Sequence, residues 1–482
     1  MKNTYKFTIL FLLSGLLLQS CQDDNDDVIK TTDLEVQDFI WKGMNQYYLW
    51  QADVPNLADD RFANQAGLDA FLQGYSEPEN LFNALRVDKS IDRFSWIVDD
   101  YRDLEGALGG ITKNNGLDFQ LAYIAKNSED IYGYVRYILP NSDAAAKNVT
   151  RGTVFYGING TQLNVSNYTS LLSNDTYTLN LADYNDGVVT PNGKSITLTK
   201  AVVAENPIFI KKVLTVGTHK IGYLMYNGFF NEYDLELNDA FGEFKSAQVT
   251  DFVLDLRYNG GGSILTATRL ASMIYGEGKG KIFAKQEWNA KLNDYFKSNN
   301  PEQLNNYFTD KIDKTTINSL NLNKVYILTS PNTASASELV INGLKPFVNV
   351  VQIGGTTVGK NVGSVTIYDS PTFGKTNINP NHRYAMQPLV LRLVNAAGFG
   401  EYTSGLLPNI AISETASNLG VLGDKEEPFL KATINVITGG STARTSAPNN
   451  EKAAIYFKDT KTMNGQNQMF IDKAPEGLLK AL

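Results

Sequence analysis

The chain has 482 residues, 43% of them hydrophobic, and a formal net charge of −8. This length and apolar content can bury several cores and predict two to four domains, while the acidic balance and the lack of a basic stripe argue against nucleic acid as a partner. The single cysteine, Cys21, rules out an internal disulfide. The two histidines, His219 and His382, lie near neither a Gly-x-Ser-x-Gly elbow nor a His-Glu-x-x-His run, so histidine-based hydrolase and zinc-protease patterns are not apparent.

Lys2 and Lys6 flank the start of the apolar run Phe7 to Leu18. The run is shorter than the roughly 20 residues a bilayer requires, so residues 1–20 read as a signal peptide. Its ending, Leu18-Gln-Ser-Cys21, resembles a bacterial lipoprotein signal. That resemblance implies lipid on Cys21 and attachment to the outer membrane, on its periplasmic or cell-surface face. Residues 21–31, with the acidic run Gln22-Asp-Asp-Asn-Asp-Asp27, read as a solvated tether, and such acidic runs also resemble the surface-export signals of Bacteroidetes-type lipoproteins.

Residues 32–106 read as a helical N-terminal domain. Thr32 and Glu35 form a capping-box pattern ahead of Val36, Ile40, Met44, Tyr47 and Tyr48 at helical spacing, and Pro55 and Pro78 mark breaks. Its aromatic residues are assigned to core packing. Residues 107–202 read as short strands and turns. From 203 to 438 strands and helices alternate: strands at Ile221–Tyr226, Phe252–Leu256, Val325–Leu328 and Val348–Ile353, helices at Leu235–Phe244 and Ile264–Ile274. This predicts an α/β layered core, with residues 276–323 as an excursion. Residues 439–482 comprise a Ser/Thr/Pro/Asn-rich linker to Asn450 and a tail with no assignable role.

Three segments of the core carry chemistry: Asp255-Leu-Arg-Tyr-Asn-Gly-Gly-Gly262, Asn332-Thr-Ala-Ser-Ala-Ser-Glu338 and Gly354-Gly-Thr-Thr-Val-Gly-Lys360. A serine hydroxyl needs a base to take its proton, and a serine–lysine pair is an alternative to Ser-His-Asp. A free lysine is protonated at neutral pH, and lowering its pKa by roughly three units costs about 4 kcal/mol, which burial must supply. Glycines at 260–262 let backbone amides approach a substrate carbonyl closely. Taken singly, each segment has a plainer reading. Ser335 to Glu338 is also a capping box, compatible with the chemical role, and the glycines also suit a tight turn. Gly354 to Lys360 fits a phosphate-binding loop, but Asn361 replaces the magnesium-binding Ser/Thr and a strand pattern follows where a helix is needed. Lys375, in Pro371-Thr-Phe-Gly-Lys375, reads as an exposed loop residue.

In joint order and spacing these segments resemble the C-terminal processing peptidases, also called tail-specific proteases. The resemblance implies a multidomain α/β protein: an N-terminal helical region, a PDZ-like β-rich domain at 107–202 and a crotonase-like layered serine protease core. It implies Ser335 as nucleophile, Lys360 as base, Glu338 as the acidic residue supporting the pair, and an oxyanion hole from the amide of Ala336 with that of Gly260 or Gly261. Where other members carry an aspartate eleven residues after the serine, this chain has Pro346. Asp92-Arg-Phe-Ser95 resembles a segment that precedes the peptide-binding domain in this family. Gly116-Leu-Asp-Phe119 resembles the carboxylate-binding loop of a PDZ domain, with Gly133 to Ser142 and Gly152 to Gly160 resembling its later strands, although Thr153 replaces a usual aspartate. The partners implied are protein or peptide substrates with free C-termini; no cofactor, metal or nucleotide is implied. The alternative is a catalytically silent peptide-binding lipoprotein on the same scaffold, which would cut no unfolded substrate.

Overall fold

The computed structural model describes residues 34–440, 456–463 and 468–472. The signal-peptide, lipidation and tether readings on residues 1–31, Cys21 included, lie outside the described residues. Among the described residues no helix is long and apolar enough to cross a membrane.

The chain enters through helix α1 (Glu35–Tyr47), which buries Val36, Phe39, Ile40, Met44 and Tyr47. The capping box read at Thr32 and Glu35 falls partly outside the described residues; the helix N-cap is Leu34, and the Glu35 carboxylate accepts hydrogen bonds from Asn379 at 2.6 Å and Asn381 at 3.1 Å. Helices α2 (Gln65–Leu72), α3 (Pro78–Ala84) and α4 (Tyr101–Leu108) follow, the first and last capped by Asn64 and Asp100 and α3 opened by its proline.

Strands Ile111–Asn114 and Ala201–Ala204 pair antiparallel and close the neck of the β-rich region. Inside it lie β1 (Leu117–Tyr123), β2 (Ile131–Ile138), β3 (Val154–Ile158), β4 (Thr176–Asn185) and β5 (Val188–Thr199), ordered in sequence in one antiparallel sheet. The turn out of β3 uses Asn159 and Gly160, both at positive φ, as the Asn-Gly pair requires. Ser142 caps the short helix Asp143–Ala146 through the N–H of Ala145.

The layered core is built on a sheet of β6 (Ile208–Val216), β7 (His219–Tyr226), β8 (Asp251–Asp255), β12 (Lys324–Thr329), β13 (Asn349–Gly354) and β16 (Ile410–Ala411), in that order. From β7 onward the neighbours are parallel. Adjacent residues of β7, β8 and β12 feed two separate cores: Leu224, Leu254 and Ile327 face one, Tyr223, Val253 and Leu328 the other. Helices α5 (Asp234–Ser246), α6 (Ile264–Ile274) and α7 (Ala336–Leu344) cover the first face and α8 (Pro428–Ile437) the second, so the strands read as continuous apolar runs.

A second sheet has the order β9 (Gly262–Ser263), β18 (Met469–Ile471), β14 (Val362–Val365), β15 (Leu389–Asn395), β10 (Ile282–Trp288), β11 (Asn305–Tyr307). Residues 276–323 are therefore more than an excursion, because β10 pairs along Leu391 to Asn395 and supplies Phe283, Ala284 and Trp288 to the core. The tail, unassigned from sequence, contributes two strands: β17 (Tyr456–Asp459) on the free edge of β1, and β18 between β9 and β14.

Candidate active site

The site forms where the carboxyl ends of β8, β12 and β13 release their loops toward the N-terminus of α7. Asn259 joins two of those loops. Its side chain donates to the carbonyl of Tyr226 at 2.8 Å and accepts from the amide of Gly261 at 2.8 Å, while its carbonyl accepts from the amide of Ala334 at 3.2 Å and the hydroxyl of Ser337 at 3.2 Å. Thr333 donates to the carbonyl of Leu256, and the Ser330 hydroxyl to that of Arg257. Arg257 is buried against Asp255, Glu414 and Glu427, which fixes the base of the glycine turn. Gly261 and Gly262 have φ of +112° and +138°, a conformation closed to other residues at reasonable cost.

Ser335 is fully buried, and it too has a positive φ, +66°, at the N-terminus of α7. A non-glycine residue held there carries strain on the order of 1–3 kcal/mol, sustained by its surroundings. The Ser335–Glu338 pair takes the capping-box arrangement at the start of α7, and Glu338 reaches back to accept the amide of Ser335 at 2.7 Å. The Ser335 hydroxyl has no hydrogen-bond partner among the described residues.

Glu338 is the hub of the site. Its Oε2 accepts the amide of Lys360 at 2.9 Å as well as that of Ser335, and its Oε1 accepts Gly359 N–H at 2.7 Å and the Thr357 hydroxyl at 2.5 Å. Burial pushes its carboxyl pKa up; these hydrogen bonds pull against that, since each favours the ionised form. One carboxylate thus ties the serine's backbone to the lysine's.

Lys360 is fully buried, with Nζ 4.7 Å from the centre of the Phe94 ring and donating to Gln468 Oε1 at 3.1 Å. Desolvation lowers its pKa to about 7, overcoming the opposing pull of Asp92 and Glu338, and Arg93 adds to the lowering. An amine in that range can accept a proton at neutral pH. Strand β14, not a helix, follows Lys360, so this segment lacks the helix of a phosphate-binding loop. Lys375 lies elsewhere, exposed and paired with Glu105 at 2.8 Å.

Of the amides singled out in the sequence, that of Gly261 is committed to Asn259, and the space beside its Cα is bounded by Ser335 Cβ and the amide nitrogen of Ala336. The dipole of α7 favours a developing negative charge at its N-terminus. In the β-rich region, the amides of Gly116 and Leu117 turn to the side chains of Asn114 and Asn115, Asp118 is buried in an ion pair with Arg136, and Phe119 N–H donates to the Thr460 hydroxyl. The structure thus gives the amides of Gly116, Leu117 and Phe119 internal partners, and β17 lies along the strand edge.

Sequence reasoning passed over Arg93, Phe94 and Gln468. Arg93 donates to the carbonyl of Gly359 at 3.0 Å and Phe94 covers the Lys360 amine, so the Asp92–Ser95 segment belongs to the site and not only to core packing. Its motif was visible, but its role was not. Both histidines pair with aspartates, His219 with Asp251 and His382 with Asp369. Among the described residues, no group of His, Cys, Asp and Glu side chains converges as a metal site.

Two family models match the chain: Peptidase family S41 over residues 220–379, which holds the three core segments, and the Peptidase S41 N-terminal domain over residues 35–96. Among solved structures, an S41 protease from Bacteroides fragilis is 26% identical, with a TM-score of 0.63, covering 83% of this chain and 97% of its own. The photosystem II D1 C-terminal processing protease is 17% identical, with a TM-score of 0.47, covering 86% of this chain and 99% of its own. No curated protein matches the sequence significantly.

Proposed function

This chain belongs to peptidase family S41, the C-terminal processing peptidases, as a serine-type peptidase, and we propose that it cuts proteins through a Ser335–Lys360 dyad. The observation that carries the reading is the Glu338 carboxylate, which holds the backbones of both residues while Lys360 lies buried with a pKa lowered to about 7. Neutral Lys360 takes the proton from the Ser335 hydroxyl as its oxygen attacks the scissile carbonyl. The amides of Gly260 and Ala336 receive the oxyanion. Lys360 then gives its proton to the departing amine, leaving an acyl group on Ser335 that water, deprotonated by the same lysine, removes. Glu338 acts here as a positioning residue.

Residues 107–202 are proposed as a PDZ-like domain that presents substrates by their C-termini, with Gly116, Leu117, Asp118 and Phe119 at its recognition edge. The Leu18-Gln-Ser-Cys21 sequence supports lipid attachment at Cys21, and with it an outer-membrane location and exported protein substrates. The decisive experiment is labelling of the folded protein with a serine-reactive fluorophosphonate, followed by peptide mapping, alongside cleavage of an unstructured protein. Adduct on Ser335 and loss of cleavage in Ser335→Ala are expected. Cleavage by Ser335→Ala at the wild-type rate would refute the dyad.

A further inference from the structure

The tail is threaded through both places where a substrate would lie. In the β-rich region β17 adds to β1 antiparallel, with Tyr456 opposite Ala122, Lys458 opposite Leu121 and Asp459 opposite Gln120. Phe457 sits between Tyr123 and Tyr168, its ring 5.3 Å from one and 5.1 Å from the other. The Thr460 hydroxyl accepts from Phe119 N–H at 2.8 Å and is within 3.1 Å of the Phe119 carbonyl, and Asp459 pairs with buried Arg136 at 2.9 Å. This is strand addition to an exposed sheet edge, with side-chain contacts at fixed positions.

At the catalytic end the tail enters as β18, parallel to β9 on one side and β14 on the other. Its carboxyl end is held by Asp472, which accepts from Ser263 at 2.9 Å and Asn231 at 2.8 Å. The carbonyl of Gln468 lies so close to Gly261 that a Cβ there would come within 2.4 Å of it, with Ser335 Cβ at 2.7 Å and Ala336 N at 3.0 Å from that same point. The Gln468 side chain accepts from Lys360 Nζ at 3.1 Å, engaging the amine proposed to activate Ser335.

Resting on the peptidase reading, we infer that the segments 456–463 and 468–472 are a tethered pseudo-substrate: they occupy the path of an extended peptide from the β1 edge to Ser335, and an incoming substrate must displace them. The favoured competitor carries an aromatic residue for the Tyr123–Tyr168 site and an apolar segment for the gap between β9 and β14. Because the occupant is covalently attached, its effective concentration is high, and only a peptide in excess competes well.

The test locks the tail in the full chain. Ala122 and Tyr456 are register partners on antiparallel strands, at a separation a disulfide spans, so Ala122→Cys/Tyr456→Cys should close when oxidised. The locked protein should cleave an unstructured protein at least about tenfold more slowly than its reduced form, and should exclude a fluorescent peptide of residues 456–472 that the reduced form binds. The variant Phe457→Asp/Gln468→Ala, loosening the tail by two side chains, should bind that peptide more tightly than wild type and cleave faster. Equal cleavage and equal peptide binding in locked and reduced forms would overturn the tail's role and leave the peptidase reading intact. Peptide exclusion that follows the lock, with no cleavage by any form, would keep the tail's role and remove the dyad.

Discussion

The backbone N–H of Lys360 donates to Glu338 Oε2 over 2.9 Å, and that oxygen also holds the N–H of Ser335. The two segments that carry the site are thereby joined through one buried carboxylate, which itself sits on the first turn of the helix that Ser335 opens. Movement of either backbone would leave a buried donor unpaired, at a cost of about 1–3 kcal/mol. The positive φ of Ser335 is sustained by that arrangement.

Ser335→Ala and Lys360→Ala should each lower cleavage of an unstructured protein by about 10⁴-fold or more, and the double variant should be no worse than the worse single, because a nucleophile and its base act as a unit. Lys360→Arg should fail equally, since a guanidinium stays protonated. Lys375→Ala should keep wild-type activity, its partner being the surface residue Glu105. Initial rates of purified, folded variants decide this, and additive losses in the double variant would speak against a dyad.

The pH dependence follows from Lys360. Its pKa of about 7 in the folded chain means that the neutral base accumulates as pH rises, so kcat/KM should climb through pH 7 and level off above it. Stability carries the same signature. The folded pKa is lower than the unfolded value, so between about pH 7 and 10.5 the unfolded chain binds more protons and stability rises with pH across that window. Lys360→Met removes a burial cost of a few kcal/mol at neutral pH, by order of magnitude, and should raise Tm at pH 7 while abolishing activity. A Tm at pH 7 lower than wild type would count against a destabilising buried amine.

Much of this was legible in the chain because the features are local. Phe252 to Leu256 reads as a strand since parallel strands buried on both faces are apolar throughout, and the helix read at Ile264–Ile274 is there, capped by Ser263, whose side chain accepts the amide of Thr266. Ser335 and Lys360 stand in segments whose joint order and spacing carry the family resemblance, and the resemblance, not the spacing alone, proposes their roles. What was missed is set by distant partners. Glu35, read within a capping-box pattern, serves Asn379 and Asn381; Phe94 looked like core but roofs Lys360; β17 and β18 are too short to show a period, and depend on the edges of β1, β9 and β14.

Glu338→Gln separates a positioning role from a merely structural one. The amide is close in size and keeps one acceptor oxygen, so the fold should survive with a modest loss of Tm. The negative charge disappears, however, and that charge raises the Lys360 pKa. The midpoint of the pH–rate profile should therefore move to lower pH, while kcat falls because the amides of Ser335, Gly359 and Lys360 can no longer all be satisfied. A reduced kcat with an unmoved midpoint would mean that Glu338 affects only the fold.

Gly261→Ala tests the glycine turn. An added methyl would come within 2.7 Å of Ser335 Cβ and 2.4 Å of the Gln468 carbonyl, and the φ of +112° is one an alanine resists. The turn must then shift, taking with it the Gly260 amide and the Asn259 bridge that aligns the serine loop. Loss of one oxyanion donor alone costs about 10²–10³ in kcat, so a fall at least that large is expected, with KM changed less. Gly160→Ala is the control: its φ is also positive, +81°, but nothing lies within 4 Å of the new methyl. Here only backbone strain of about 1 kcal/mol should appear, as a lower Tm with unchanged kcat. The contrast isolates contact at the reacting centre from the generic penalty of a left-handed alanine, and equal kinetics for the two variants would show that the glycine turn plays no part in the chemistry.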